Sequence, residues 1–225
     1  MRILVVLTSH DRLASGRRTG VCLKSFALGY YACVDAGLEV TICSPLGGPA
    51  PIAPCSDGDM ASGIVQRFLG DRTVREEFSD GLMLSQVCAG DFSAVYYPDG
   101  PGALWDLPGD RDSQALICQM HEQRRPCAFI GHGTAALLQV CKPDTMPLVA
   151  GRRLMAPGRD KNAAVGLPDE APSLEQELDR LGAICVTGAG VAPVMVEDGG
   201  LITGRDADAS VPVVQSMLAA IQASA

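Results

Sequence analysis

Gly131-His132-Gly133 lies between the apolar run Cys127-Ala128-Phe129-Ile130 and the segment Thr134 to Cys141, the pattern of a strand, a sharp turn and a helix. Turns of this kind expose one side chain at the top of a parallel sheet, facing the positive end of the following helix, and so serve as nucleophile elbows. Here the turn position is Gly131, which has no side chain to attack a substrate. His132 beside it has an unperturbed pKa near neutrality and is the leading candidate for a general acid or base. Asp99, within Pro98-Asp99-Gly100-Pro101-Gly102, and His10, within Thr8-Ser9-His10-Asp11, complete the set of candidate catalytic groups.

These groups need a scaffold, and the hydrophobic pattern supplies an alternating one. Strands are expected over 2–7, 38–43, 94–97 and 127–130, and helices over 19–36, 112–124 and 134–141. Residues 45–58, rich in proline and glycine, read as a loop. Ser173-Leu174-Glu175-Gln176 has the form of a capping box opening a helix that stops at Gly182. Glu197-Asp198-Gly199-Gly200 reads as the turn of a hairpin, and Ser210 as the cap of the last helix. The expected fold is a single α/β domain over 1–225, with a doubly wound, mostly parallel sheet and helices on both faces. Ligands of such sheets sit beyond the carboxyl ends of the strands. That gathers His10, Asp11, Cys22 to Ser25, Asp99 to Gly102 and Gly131 to Thr134 around one cleft.

Composition agrees. The chain of 225 residues is 47% hydrophobic but only 4% aromatic, as suits a sheet covered on both faces. A formal net charge of -8 argues against a general nucleic-acid binder, and the pairs Arg17-Arg18, Arg124-Arg125 and Arg152-Arg153 read as solvated surface. The amino terminus reads as a buried strand rather than a signal peptide, and no run approaches the roughly 18 apolar residues of a membrane span. A cytoplasmic location is expected. The nine cysteines are odd in number and lack Cys-x-x-Cys spacing, so no disulfide framework or metal site is indicated, and most are expected to be buried. No cofactor motif is present: Gly131-His132-Gly133 and Gly188-Ala189-Gly190 are too short for a dinucleotide fingerprint.

Several segments together resemble the ThiJ/PfpI superfamily. They are Thr8 to Asp11, Thr19 to Leu23, Asp35 to Thr41 with Ser44 to Gly48, Pro98 to Gly102 with Trp105-Asp106-Leu107, the Gly131-His132-Gly133 elbow, Val165-Gly166-Leu167, Leu181 to Ala183 and Asp198 to Gly204. The branch most similar contains heat-shock chaperone-like, glyoxalase III and protein deglycase members. The resemblance implies a flavodoxin-like, class I glutamine amidotransferase-like fold, a homodimer and a small-molecule ligand.

Position by position, the same resemblance implies that the machinery has changed. The family's nucleophilic cysteine falls on Gly131, its supporting glutamate on Ser25 and a following proline on Gly29. The acidic residue that orients the histidine falls near Lys161-Asn162-Ala163. In the Pro-Gly-Gly-His-Gly loop, Asp99 replaces a glycine and Pro101 the histidine, leaving His132 as the survivor. A thiolate attacks carbonyls and a neighbouring acid tunes it, and glycine can do neither. Glycine does tolerate the positive φ of an elbow, so the turn and the pocket can persist.

Each remaining residue has two readings. His132 is a proton-transfer group or a remnant bonded to a neighbouring loop. Asp99 is a base or cation ligand, or a solvated turn residue. Cys22 is a displaced nucleophile or core packing, Lys24 a charge for an anionic ligand or a solvated side chain, and Trp105 a pocket wall or a buried residue. His10 and Asp11 belong to the site or to their own turn. Gly100, Gly131, Gly133 and Ser25 complete the expected pocket. Three functions follow: a repurposed enzyme performing non-covalent acid/base chemistry on a carbonyl-type substrate, a metabolite-binding or holdase-like pseudoenzyme, or glyoxalase III or deglycase chemistry through a displaced cysteine. Restoration by Gly131→Cys with Ser25→Glu is the corresponding experiment.

Overall fold

The central sheet of the computed structural model, which describes residues 1–158, 173–186 and 194–223, has seven strands in the order β3-β2-β1-β4-β5-β9-β8. The strands are β1 Arg2–Val6, β2 Glu39–Ser44, β3 Leu82–Met83, β4 Ala94–Tyr97, β5 Cys127–Ile130, β8 Met195–Asp198 and β9 Leu201–Gly204. All neighbours run parallel except β8 and β9. A separate parallel pair joins β6 Arg153–Leu154 to β7 Ile184–Cys185.

Alternation of side chains across the pleat divides each strand between two cores. Leu4, Val6, Val95, Tyr97, Cys127 and Phe129 face one side, where they meet the helix Arg111–Glu122. Ile3, Val5, Ala94, Tyr96, Ala128 and Ile130 face the other, against α1 Leu23–Asp35 and the carboxyl-terminal helix Ser210–Ala223. Both faces are therefore apolar, which explains why the strands read as continuous hydrophobic runs. This is the expected doubly wound sheet with helices on both sides.

Several local expectations need correction. The first helix begins at Leu23, not residue 19, because residues 11–19 close on themselves: Thr19 N–H donates to Asp11 O and Leu13 N–H to Arg17 O. The loop over 45–58 ends in a short helix, α2 Asp57–Ala61, and two helices without an expectation follow, α3 Gly63–Gly70 and α4 Arg72–Ser79. The segment after β5 is a 3-10 turn over Gly131–Leu137 rather than an α-helix over 134–141. Ser173 precedes the helix Leu174–Arg180 without a side-chain cap bond, so its hydroxyl does not form the expected box. Ser210 starts the last helix, but its hydroxyl faces Ser25 at 3.1 Å. The hairpin is present, with Gly199 and Gly200 both at positive φ, the requirement of its tight two-residue turn.

Only Cys33, Cys43 and Cys127 are buried, whereas Cys88 and Cys141 are exposed, so most of the cysteines are not core residues. No helix among the described residues is long and apolar enough to cross a membrane. Lys161-Asn162-Ala163, Val165-Gly166-Leu167 and Gly188-Ala189-Gly190 lie outside the described residues.

Candidate functional site

Strand register builds the centre of the site. In the parallel pairing of β4 with β5, Tyr97 lies opposite Phe129, so the chain two residues further on brings Asp99 to Gly131. The two strands end there, and both loops turn away over the carboxyl edge of the sheet. A β-carbon built on Gly131 would fall 2.4 Å from the Asp99 carboxyl carbon and 2.4 Å from its Oδ1. The Asp99 carboxylate thus occupies the volume that a side chain at position 131 would fill. Gly131 itself sits at φ +52°, a left-handed conformation that glycine adopts without strain.

Three donors converge on one oxygen of that carboxylate. Asp99 Oδ1 accepts from the backbone N–H of His132 at 2.8 Å and of Gly100 at 2.8 Å, and it lies 2.9 Å from His132 Nδ1. An ionised carboxylate can only accept, so the proton of that last bond resides on Nδ1. Burial pushes the Asp99 carboxyl up, but the bond and charge of His132, with the two backbone donors, outweigh it and hold the group below the usual carboxylate range. Two N–H groups aimed at one point form the kind of cradle that stabilises a developing oxyanion. Here the protein's own carboxylate fills it.

The supports behind Asp99 are buried and polar. Ser25 Oγ accepts from Asp99 N–H at 2.9 Å and lies beside Ser210 Oγ, while Tyr96 donates its hydroxyl to Ser25 O at 3.1 Å. The Tyr96 ring also fills the space next to Gly29, where a β-carbon would meet it at 2.4 Å. Asp99 O accepts from Cys22 N–H, which ties the loop to the start of α1. Gly133 and Gly100 are required by close backbone approach: their β-carbons would meet Pro98 O and Gly20 O at 2.6 Å each. Ser25 is fully buried, so a glutamate has no room in this arrangement.

Above Asp99 opens a cavity of about 170 Å³, lined by Arg18, Thr19, Cys22, Lys24, Asp59, Asp99 and Pro101 together with residues 53–56. Asp99 Oδ2 makes no hydrogen bond to any described residue. Lys24 bridges Asp208 at 2.8 Å and Asp59 at 3.4 Å, and the Asp208 bond foremost raises its pKa, so its charge is already matched by carboxylates. Burial, with the Asp99 charge next, pushes the Cys22 thiol up to about 12. A thiol in that state supplies little thiolate near neutrality, which weighs against Cys22 as a displaced nucleophile.

The expected residues therefore divide. Cys22, Lys24 and Asp99 line one cavity, with Gly131, His132, Gly100, Gly133 and Ser25 forming its floor and support. His10, Asp11 and Trp105 are not part of its lining. His10 stacks on Trp105 with ring centroids 5.9 Å apart, Trp105 is 41% exposed rather than buried or walling the cavity, and exposed Asp11 pairs with Arg12 at 3.8 Å. Next to them Asp106 accepts from the Thr8 hydroxyl at 2.8 Å and from Ser9 N–H at 2.6 Å. Sequence reasoning missed Arg18, Thr19, Cys55 and Asp59. Arg18 is exposed, in keeping with a solvated surface residue, and it also lines the cavity; the closure of residues 11–19 that brings it there leaves no periodic signal.

The fold defined by this sheet and its helices is the flavodoxin-like, class I glutamine amidotransferase-like one. No family model matches the chain. Among curated proteins it is similar to glutamine amidotransferase-like class 1 domain-containing protein 1 of Bos taurus, with 24% identity over 207 residues, covering 92% of this chain and 90% of the relative. Among solved structures it resembles the rapid encystment protein of Francisella tularensis, with a TM-score of 0.89 and 23% identity, covering 98% of both chains. Glyoxalase III of Candida albicans gives a TM-score of 0.85 with 19% identity, covering 98% of this chain and 97% of that one. A ThiJ/PfpI domain protein of Brachyspira murdochii and DJ-1beta of Drosophila melanogaster share the same fold, with TM-scores of 0.67 and 0.62.

Proposed function

We propose that this chain is a single-domain ThiJ/PfpI-like enzyme that has exchanged covalent cysteine chemistry for proton transfer, with Asp99 as general base on a small carbonyl compound. The observation that carries this reading is the Asp99 carboxylate, held by three donors through Oδ1 where a side chain of residue 131 would stand, in a residue that lines the cavity and whose Oδ2 bonds no described residue. His132 keeps Asp99 ionised and oriented. The filled cradle cannot receive a second oxyanion, which argues against acyl-transfer chemistry and for abstraction of a proton from carbon beside a carbonyl. In that step Oδ2 takes the proton, the C–H electron pair forms the enolate carbon–carbon bond, and the carbonyl π pair moves to oxygen. Asp99 releases that proton to solvent, and a solvent-derived proton added to the enolate carbon restores the carbonyl and completes the cycle.

A panel of small carbonyl compounds in deuterated water, followed by proton NMR, tests the proposal. Wild-type protein should wash deuterium into the position beside the carbonyl of at least one member, and Asp99→Asn should lose at least about a hundredfold of that rate. Equal rates in both proteins would refute it. The second reading, a metabolite-binding or holdase-like pseudoenzyme, draws on the exposed Leu46, Met83 and Trp105 side chains. It predicts suppression of client aggregation that is indifferent to Asp99→Asn.

A further inference from the structure

Two polar groups of the cavity take no part in the chemistry described so far. Thr19 is 3% exposed, lines the cavity, and its hydroxyl oxygen has no hydrogen-bond partner among the described residues. A buried hydroxyl without a partner costs roughly 1–3 kcal/mol, which a ligand atom would recover. Arg18 lines the same cavity, and no carboxylate among the described residues pairs with it. The other charges facing the space are Lys24, matched by Asp59 and Asp208, and Asp99, matched by His132. Arg18 is therefore the one cation of the lining whose charge is not matched among the described residues.

The placement of both residues has a local cause. Thr19 N–H donates to Asp11 O, Leu13 N–H donates to Arg17 O, and Arg12 bridges Arg18, so residues 11–19 form a closed flap whose returning arm carries Arg18 and Thr19 to the cavity. A cavity of about 170 Å³ has room for several water molecules or a small organic ligand. A small organic acid fits in it beside Arg18, Thr19 and Asp99.

We infer that the ligand of this cavity is a small monocarboxylic acid bearing a carbonyl group, its carboxylate held by Arg18, its carbonyl oxygen bonded by the Thr19 hydroxyl and its acidic C–H turned to Asp99 Oδ2. The inference rests on the proposed role of Asp99 and adds the substrate class. It also supplies what the filled cradle lacks: negative charge developing on the carbonyl oxygen falls on the Thr19 hydroxyl instead of the two backbone N–H groups. Guanidinium suits the task because its planar donors match a carboxylate in two parallel bonds.

The test uses pyruvate as the anionic probe and hydroxyacetone as its neutral counterpart of similar size, with binding by saturation-transfer NMR and turnover by deuterium wash-in. Pyruvate should bind the wild-type chain, Arg18→Gln should weaken that binding at least about tenfold, and hydroxyacetone should respond little. Thr19→Val, which keeps the shape, should slow wash-in more than it weakens binding. Asp99→Asn should bind pyruvate at least as tightly while losing exchange. Absence of pyruvate binding, or binding indifferent to Arg18→Gln, overturns the inference, and hydroxyacetone exchange would then leave Asp99 as base standing. Arg18-dependent binding of pyruvate without any wash-in would sustain the ligand class and overturn the base. A thermal melt of Arg18→Gln matching wild type establishes that the exposed substitution leaves the fold intact.

Discussion

Asp99 and Asp106 lie seven residues apart on one segment, both largely withdrawn from water, yet their carboxyl groups shift in opposite directions. Burial pushes Asp106 up, and the donors it meets, the Thr8 hydroxyl and backbone N–H groups, are neutral and do not compensate. Burial pushes Asp99 the same way, but His132 adds an imidazole donor and its charge, and the balance reverses. Burial by itself therefore does not make a base here; the imidazole decides. Two carboxylates whose surroundings drive them apart are a recurrent mark of divided acid and base roles, and only Asp99 lines the cavity.

The largest expected effect tests whether Asp99 needs an empty position 131. Gly131→Cys alone places a β-carbon against the Asp99 carboxylate and a side chain at positive φ, and should destabilise by about 3 kcal/mol or more in denaturant unfolding. Pairing it with Asp99→Gly should recover at least about 1 kcal/mol, a coupling that a double-mutant cycle would read. The simpler restoration suggested by the sequence, Gly131→Cys with Ser25→Glu, should fail because it leaves the carboxylate in place and crowds the buried Ser25. Additive single effects would show that the two positions are independent.

Next comes the pH dependence of Asp99. Its folded pKa lies below the unfolded value near 3.9, so the stability it contributes is complete above about pH 4 and fades as pH falls through the depressed value. In His132→Ala that acid limb should move to higher pH, in melting temperature and in wash-in rate alike. An unmoved limb would deny His132 its role. Asp106 has the opposite sign: its raised folded pKa means that its contribution is full below the ordinary carboxylate value and is lost as pH rises through the raised one. Asp106→Asn should accordingly change stability by less than about 1 kcal/mol at neutral pH and abolish that decline. Smallest of all, Cys22→Ala and thiol alkylation should leave wash-in within about twofold of wild type, since the Cys22 thiol is held protonated.

Much of this was legible beforehand, for reasons that differ by residue. The strands announced themselves because each buries both faces, and Gly131 stood out because an elbow without a side chain is chemically odd. Asp99 was visible as an unusual carboxylate, but its fit into the place of the missing side chain depends on the Tyr97–Phe129 register, which no local pattern records. The helices α3 and α4 went unseen because each is only eight residues long, too short for periodicity to separate from chance. His10 and Trp105 were drawn into the cleft by their place at the carboxyl edge, whereas their rings stack on each other away from the cavity lining.

The most direct measurement is a carbon-13 titration of the Asp99 and Asp106 side-chain carboxyls in the folded protein. The Asp99 midpoint should lie below the ordinary value near 3.9 and the Asp106 midpoint above it, with the Asp99 midpoint rising in His132→Ala. An Asp99 midpoint at or above the Asp106 midpoint would contradict it, leaving no ionised carboxylate singled out for proton transfer.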